Sequence, residues 1–135
     1  MPEPRFITRP TAGEIDQVTS LYREAGWWEG PDDPEQVGGI VRGSHCFLVL
    51  EEDGAVVAMG RAISDGVSDA YIQDLAVRET HRGRGLGSEL VRLLSERVNA
   101  DGLYWIGLIA ERGTEGFYQR LGFSRMPDSV PMLRK

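Results

Sequence analysis

The chain has 135 residues, of which 41% are hydrophobic and 27% are charged, a composition typical of a globular domain and not of a disordered or membrane-spanning chain. A formal net charge of -6 argues against a nucleic acid partner, because phosphate binding needs a basic face. The single cysteine, Cys46, cannot form an internal disulfide, and the first residues lack the apolar run of a signal peptide. We therefore expect a cytoplasmic protein without membrane contact.

The first elements predicted along the chain are a strand and two helices. A short strand is expected at residues 6–9. Thr11 and Glu14 have the spacing of a capping box, and apolar residues at helical spacing follow them, which predicts a helix that ends at Gly26. After an acidic loop, a weaker second helix is expected at residues 34–42.

The middle of the chain is predicted to be an antiparallel meander. Apolar runs at residues 46–50 and 55–59 flank the pair Asp53-Gly54, which is a strong hairpin signal. A third strand of this group is expected at residues 70–77.

The remainder of the chain alternates between helices and strands. The predicted elements are a helix at 85–100, a strand at 103–110, a short helix at 114–120, and last strands at Phe123 and at 130–133. The full order is β-α-α-β-β-β-α-β-α-β-β. It predicts an α/β protein with a mixed, mostly antiparallel sheet and helices on both faces, in a single domain over residues 1–135.

A glycine-rich segment between the third meander strand and the long helix reads Arg82-Gly83-Arg84-Gly85-Leu86-Gly87-Ser88. Glycines allow the backbone to approach an anion closely, and a helix N-terminus adds partial positive charge, so the segment suits a pyrophosphate. A dinucleotide fingerprint would need a glycine where Ser88 stands, and a Walker A loop would need a lysine, which the segment lacks. A tight strand-to-helix turn without a ligand is the alternative.

The segment matches the acetyl-CoA loop of the GNAT superfamily of N-acetyltransferases, written R/Q-x-x-G-x-G/A, at every fixed position. Downstream, residues 117–123 resemble the F-Y-x-x-L-G-F signature of the same family, and the predicted element order resembles the family fold over nearly the whole chain. The resemblance implies an acetyl-CoA-dependent N-acetyltransferase with a GNAT-like fold. Members of the family are often dimers, so a homodimer is a further expectation.

The resemblance also implies where acetyl-CoA would bind. Backbone N–H groups of residues 83–88 would hold the CoA diphosphate, and the two arginines of that segment would add charge. The strand Leu75-Ala76-Val77 is similar to the splayed fourth strand of the family, whose free backbone groups pair with pantetheine. Arg78 or His81 would reach the ribose phosphate, unless both belong to a solvated surface cluster.

Attack of an amine on the thioester raises two proton-transfer problems. An alkylamine with a pKa of about 10.4 must lose a proton, and the leaving thiolate, with a pKa of about 8.5 as a free thiol, benefits from a donor. Tyr118 stands at the donor position of the family, although a half-buried packing role would also suit it.

The general base is less clearly indicated. The base positions of several family members correspond to Tyr71 and Gln73, and neither residue is a carboxylate or a histidine. Glu111, which follows the predicted fifth strand, is the first candidate. Asp74 is the second, provided that a β-bulge turns its side chain toward the site. A water chain that ends on either acid is a third possibility.

The amine acceptor is expected beside the loop after the first helix. Trp27, Trp28, Glu29 and Asp33 lie where the family builds its acceptor site, together with the strand positions 71 and 73. An aromatic and acidic wall suits a cationic small amine or an amino sugar, whereas a core tryptophan beside a solvated loop is the plainer interpretation.

Two other functions stay open from the sequence. The acceptor could be a protein N-terminus or lysine, and the domain could bind acetyl-CoA as a sensor without catalysis. No metal is expected, because His45 and Cys46, neighbours on a strand, would face opposite sides.

Overall fold

The computed structural model describes residues 1–135. Its strands are β1 (Glu3–Ile7), β2 (Cys46–Glu52), β3 (Ala55–Ser64), β4 (Asp69–Val77) and β5 (Trp105–Gly107). Its helices are α1 (Ala12–Glu24), α2 (Pro34–Gly43), α3 (Leu86–Ala100) and α4 (Glu115–Gln119), with one 3-10 turn at Glu79–His81. None of the helices has both the length and the apolar character that crossing a membrane requires.

The five strands form one sheet in the order β1-β2-β3-β4-β5. The first three pairings are antiparallel, and β4 pairs with β5 in parallel. A parallel pair needs a crossover connection, and α3 is the element between these two strands. The predicted mixed, mostly antiparallel sheet is confirmed.

Helices cover both faces of the sheet, as predicted. Successive strand side chains point to opposite faces, so Leu48 and Leu50 of β2 pack in a core beneath α3, while Phe47 and Val49 pack in a second core beneath α1 and α2. All four side chains are fully buried. Burial of each stabilises the fold by about 1.5–3 kcal/mol relative to exposure.

Side chains cap the N-terminal ends of the first two helices, and the capping box predicted for the first is confirmed. The hydroxyl of Thr11 accepts a hydrogen bond from the backbone N–H of Glu14 at 3.1 Å, and the Glu14 carboxylate accepts one from the N–H of Thr11 at 2.8 Å. The carboxylate of Asp33 accepts one from the N–H of Gln36 at 3.1 Å and so caps α2.

The two predicted C-terminal strands are absent, which corrects the expected element order. Phe123 packs against the core beneath α3 without entering a strand, and the side chains of Val130, Met132 and Leu133 are exposed. Pro131 lies inside the apolar run and has no N–H to donate to a ladder, so an alternating pattern there does not produce a paired strand.

Three other strands differ clearly from expectation in their bounds, one of them being β3, which runs five residues beyond the predicted 55–59. The strand β1 begins and ends earlier than the predicted 6–9, and β5 is three residues long where residues 103–110 were expected. The pairing of β4 with β5 covers only Asp69–Tyr71 against Trp105–Gly107. From residue 72 to Val77, β4 therefore has no partner on its β5 side, and a gap opens between the two strands.

The pairing of β3 with β4 contains a β-bulge. Met59 pairs with Ala76 and Arg61 pairs with Gln73, so Gly60 alone lies opposite the two residues 74 and 75. Asp74 has a positive φ of 57°, the left-handed backbone conformation that aspartate tolerates better than most residues. The bulge reverses the alternation of side chains along β4 immediately before its unpaired edge.

Candidate active site

The glycine-rich segment leaves a continuous run of backbone N–H groups without an acceptor in the protein. None of the six N–H groups from Gly83 to Ser88 donates a hydrogen bond within the protein, and the first backbone bond of α3 runs from the N–H of Glu89 to the carbonyl of Gly85. The left-handed φ of Gly83 and Gly85, 79° and 80°, is what produces this turn. Six free donors at a helix N-terminus fit an anion such as a diphosphate.

A cavity of about 240 Å³ lies beside these N–H groups. Its walls come from the segment itself, the end of β4 and α4, and the lining residues are Val77, His81, Arg82, Gly83, Gly85, Leu86, Gly87, Ser88 and Phe117. We call it the loop cavity.

The basic residues around the loop cavity have different surroundings. The guanidinium of Arg82 lies across the end of β4 and donates to the carbonyl of Val77 at 3.2 Å, and the Arg84 side chain reaches the carbonyl of Thr80 at 3.5 Å. His81 lines the cavity and contacts the Glu52 carboxylate at 3.1 Å.

Arg78 points away from the loop cavity. Its side chain donates to the carbonyl of Val56 at 2.9 Å, to the hydroxyl of Ser20 at 3.1 Å and to the carboxylate of Glu24 at 3.4 Å. It thereby joins α1 to β3. The structure gives it this packing role and not the phosphate contact considered from the sequence.

A second cavity, of about 460 Å³, lies between the end of α1 and the unpaired part of β4. We call it the strand cavity. It is lined by Leu21, Glu24, Ala25, Trp27, Leu75, Ala76, Val77, Arg82, Glu111, Thr114 and Phe117. Because Val77, Arg82 and Phe117 line both cavities, the two are neighbouring parts of one cleft.

Glu111 lies in the wall of the strand cavity, in a turn that precedes α4. The backbone carbonyl of Glu111 accepts hydrogen bonds from the N–H and the hydroxyl of Thr114, at 3.0 and 2.7 Å. Its carboxylate makes no hydrogen bond or ion pair, unlike that of Glu24, which accepts from the N–H of Glu79 and from Arg78. Glu111 is thus the unengaged carboxylate of this cavity.

Tyr118 is half-buried on α4, with its ring edge-on to those of Phe117 and Phe123 at centroid distances of 5.0 and 6.0 Å. It lines neither cavity, and its hydroxyl has no hydrogen-bond partner in the protein. Burial raises the pKa of the Tyr118 phenol, and the negative charge of Glu111 raises it further. The charge of the first candidate base is therefore felt at the predicted donor.

Asp74 lies outside both cavities. The bulge turns its carboxylate toward α1, where Oδ2 accepts hydrogen bonds from the hydroxyl of Tyr22 and from Nε of Arg61, each at 2.7 Å. The sequence allowed for re-aiming by a bulge, and the bulge is present, but the resulting direction is toward a side-chain network and not toward the cleft.

The predicted acceptor residues of the loop after α1 separate into different roles. Trp27 lines the strand cavity. Trp28 packs against the core beneath α1 and α2, and its ring N–H donates to the carbonyl of Pro31 at 3.3 Å. Glu29 is exposed, and Asp33 caps α2.

The predicted acceptor residues of β4 lie outside the two cavities. Tyr71 packs edge-on against Trp105 at 5.3 Å between ring centroids, and the two residues are 43% and 42% exposed. The amide oxygen of Gln73 accepts from Arg61 at 3.4 Å. Gly107 makes room for the aromatic pair, since an added Cβ would lie 2.7 Å from the Trp105 ring.

Sequence reasoning missed several residues that line the strand cavity, namely Leu21, Glu24, Ala25, Thr114 and Phe117. Leu21 and Ala25 belong to the apolar residues at helical spacing in the first helix, and Phe117 belongs to the signature at 117–123, but neither pattern indicates a contact with the site. For Leu21 and Ala25, the available signal was their position at the end of a helix that leads into a tryptophan-bearing loop. The meeting of that end with α4 needs the three-dimensional structure.

Comparison with known proteins agrees with this geometry. A model described as the acetyltransferase (GNAT) family matches residues 13–123. GCN5-related N-acetyltransferase 1, chloroplastic, from Arabidopsis thaliana is 30% identical over 93% of this chain and 64% of its own length. Serotonin N-acetyltransferase 2, chloroplastic, from Oryza sativa subsp. japonica is 38% identical over 64% of this chain and 46% of its own length.

The chain thus spans 64% and 46% of the lengths of these two curated relatives. Among solved structures, a GNAT family acetyltransferase from Streptococcus pneumoniae superimposes with a TM-score of 0.81 at 24% identity, covering 100% of this chain and 98% of that one. This likeness concerns the fold, while the family model covers most of the sequence, including the glycine-rich segment and α4. The chain belongs to the acetyltransferase (GNAT) family.

Proposed function

We propose that the protein transfers the acetyl group of acetyl-CoA to a primary amine by direct attack of the amine on the thioester. The observation that carries the proposal is the adjacency of two features: six free N–H groups at residues 83–88 and the unpaired edge of β4. The N–H groups suit a diphosphate, and the strand edge suits a ligand that carries several amides along its length.

The residues present fit acetyl-CoA, which supplies the activated acetyl thioester. The N–H groups of Gly83–Ser88 would hold the diphosphate, with Arg82 and Arg84 contributing charge from the exposed surface. Backbone groups of Leu75, Ala76 and Val77 would pair with the amides of pantetheine, as an added strand pairs with a sheet edge.

Glu111 would accept the proton that the attacking ammonium group must lose. Glu111 lines the strand cavity and its carboxylate is unengaged, so it is available for an incoming cation. Tyr118 would donate its proton to the departing CoA sulfur as the new C–N bond forms and the C–S bond breaks, and the second proton that the nitrogen loses would restore the phenol. A phenol with an ordinary pKa of about 10 is already protonated at neutral pH, and burial raises the pKa of Tyr118 further, so Tyr118 is in the donor form before the reaction.

The acceptor that suits the strand cavity best is a small cationic amine or an amino sugar. Trp27 offers an aromatic face and Glu111 a negative charge in the same cavity, and both favour a positively charged amine. The relative from Oryza sativa, named for serotonin, supports a small amine by similarity.

The decisive experiment combines acetyl-CoA binding by calorimetry with a screen for CoA thiol release. The screen would use small amines, amino sugars, and peptides with a free N-terminus or lysine. Turnover with small amines supports the proposal, and turnover with peptides alone assigns the protein acceptor instead. Tight acetyl-CoA binding without any acceptor supports a sensor, and no binding at millimolar acetyl-CoA refutes the proposal.

A further inference from the structure

Asp74 lies next to the edge of β4 that is proposed to bind pantetheine, and no step of the proposed reaction uses it. Asp74 has a φ of 57° at the β-bulge, immediately before the unpaired edge that begins at Leu75. This conformation costs some free energy even for an aspartate, and contacts that hold the side chain can offset that cost.

The contacts that hold Asp74 come from two other elements. Tyr22 of α1 and Arg61 of β3 each donate a hydrogen bond of 2.7 Å to the same carboxylate oxygen, Oδ2. The side chains of Arg61 and Asp74 are only 16% and 23% exposed, so solvent screens this ion pair less than a surface pair. Arg61 also reaches the amide oxygen of Gln73 and the hydroxyl of Ser44, each at 3.4 Å.

The same bulge sets the position of the next residue. Gly60 lies opposite the bulge, and a Cβ added there would stand 2.5 Å from Cδ2 of Leu75 and 3.0 Å from Cδ1 of Leu94. The side chain of Leu75 therefore fills the space above Gly60, against α3. Asp74 on one face of the sheet and Leu75 on the other fix the backbone where the unpaired edge begins.

We propose that Asp74 is a positioning residue, whose carboxylate, held by Arg61 and Tyr22, keeps the bulge in place and so orients the free edge of residues 75–77 toward the acetyl thioester. The proposal rests on the proposed function. This role differs from that of a general base, which the sequence left open for Asp74. The carboxylate of Asp74 already accepts two hydrogen bonds, and Asp74 lines neither cavity.

The test compares Asp74→Asn with Asp74→Gly. Both asparagine and glycine tolerate the left-handed backbone, but only asparagine keeps an oxygen for Tyr22 and Arg61. We expect Asp74→Asn to retain kcat within about threefold and Asp74→Gly to lose about 10- to 100-fold. The KM for the amine should change little, and the pH profile of kcat/KM in the asparagine variant should keep its wild-type shape.

A structural readout makes the test independent of activity. Backbone amide chemical shifts of Leu75, Ala76 and Val77, measured by NMR, should stay near wild type in Asp74→Asn and move in Asp74→Gly. If the wild-type protein neither binds nor turns over acetyl-CoA, the proposed function fails, and these shifts still decide whether Asp74 holds the edge.

Asp101→Ala is the matched control, because Asp101 also accepts from an arginine and a second side chain, Arg97 and His45, but lies at the opposite end of α3 from the glycine-rich segment. It should lower the melting temperature without changing kcat or the shifts. Wild-type kcat and shifts in Asp74→Gly would overturn the proposal. An equal, severe loss in both Asp74 variants would overturn it in favour of a general base.

Discussion

The ring of Phe117 lies directly on the backbone of Gly87, where an added Cβ would stand 3.3 Å from Cζ of Phe117. Gly87 belongs to the first turn of α3 and Phe117 to α4, so the contact joins the free N–H groups to the helix that carries Tyr118. The glycine-rich segment and the signature at residues 117–123 are therefore parts of one site. Variants in either should be compared for effects on both acetyl-CoA binding and turnover.

Replacement of Gly85 by aspartate should abolish acetyl-CoA binding. The side chain would force a non-glycine residue into a φ of 80° and place a negative charge among the N–H groups that suit a diphosphate. Calorimetry measures the effect directly. Gly102→Asp is the control, since Gly102 has a similar φ of 86° beyond the other end of α3, and it should bind acetyl-CoA normally. Normal binding by a folded Gly85→Asp would show that the segment does not hold the diphosphate.

Tyr118→Phe should lower kcat by about a hundredfold, equivalent to about 2.7 kcal/mol of activation free energy. The ring and its contacts with Phe117 and Phe123 remain, so acetyl-CoA affinity and the melting temperature should change little. Steady-state kinetics with a verified acceptor provide the measurement. Tyr104→Phe, at a tyrosine that is 80% exposed, should have wild-type kcat. A near wild-type rate in Tyr118→Phe would mean that the sulfur takes its proton from water.

Trp27→Ala should raise the KM for a cationic acceptor more than that for acetyl-CoA. A cation–π contact of about 0.5–2 kcal/mol corresponds to a rise of about 2- to 30-fold. Asp33→Ala should instead lower the free energy of unfolding by about 1 kcal/mol, because it removes the cap of α2, and should leave both KM values unchanged. Equal changes in both KM values for Trp27→Ala would indicate a structural role for this tryptophan.

Stability should fall steeply in alkaline solution because of Tyr22. Burial, and then the negative charge of Asp74, raises the pKa of the Tyr22 phenol well above its usual value of about 10. Above pH ~10 the unfolded chain loses this proton and the native protein keeps it, so the free energy of unfolding falls by about 1.4 kcal/mol per pH unit from this group.

Tyr22→Phe should remove that part of the alkaline slope, although it should be less stable than wild type at pH 7 by about 1.5–3 kcal/mol through loss of a hydrogen bond to a charged group. Urea unfolding from pH 8 to 11 measures both effects. Tyr104→Phe should keep the wild-type slope. Parallel slopes for wild type and Tyr22→Phe would contradict the assignment.

Gly60→Ala and Gly39→Ala should have opposite effects on stability. A methyl group at Gly60 would overlap Leu75 and Leu94 and cost about 1–3 kcal/mol. At Gly39, an exposed position within α2, nothing lies within 4 Å, so alanine should stabilise the helix by about 0.5–1 kcal/mol. Chemical denaturation of the two variants in parallel provides the measurement, and a stable Gly60→Ala would show that Leu75 can repack.

Local signals in the sequence predicted the elements well. The capping box at Thr11 and Glu14, the hairpin signal at Asp53-Gly54, and the glycines before α3 depend on neighbouring residues alone, and each is found where it was expected. These features also placed the glycine-rich segment correctly at the end of β4, because a strand–turn–helix order is readable from periodicity.

Features that depend on distant contacts could not be predicted. The run at 130–133 has strand-like residues but no partner strand. The direction of the Asp74 side chain at the β-bulge depends on its contacts with Tyr22 of α1 and Arg61 of β3. Arg78 looked like a phosphate ligand because it precedes the loop. Its real partners lie more than 20 positions away on α1 and β3.

The cytoplasmic location and the homodimer stay predictions, which fractionation and light scattering would test.

The shared wall of the two cavities limits how the specificity of such a protein can be changed. A substitution at Val77, Arg82 or Phe117 alters the loop cavity and the strand cavity together, so it is expected to affect acetyl-CoA and the amine at once. The loop after α1 and the turn at residues 111–114 border only the strand cavity. Diversification toward new amines, in nature or by directed evolution, is therefore expected to concentrate in those two segments, while the shared wall stays constant.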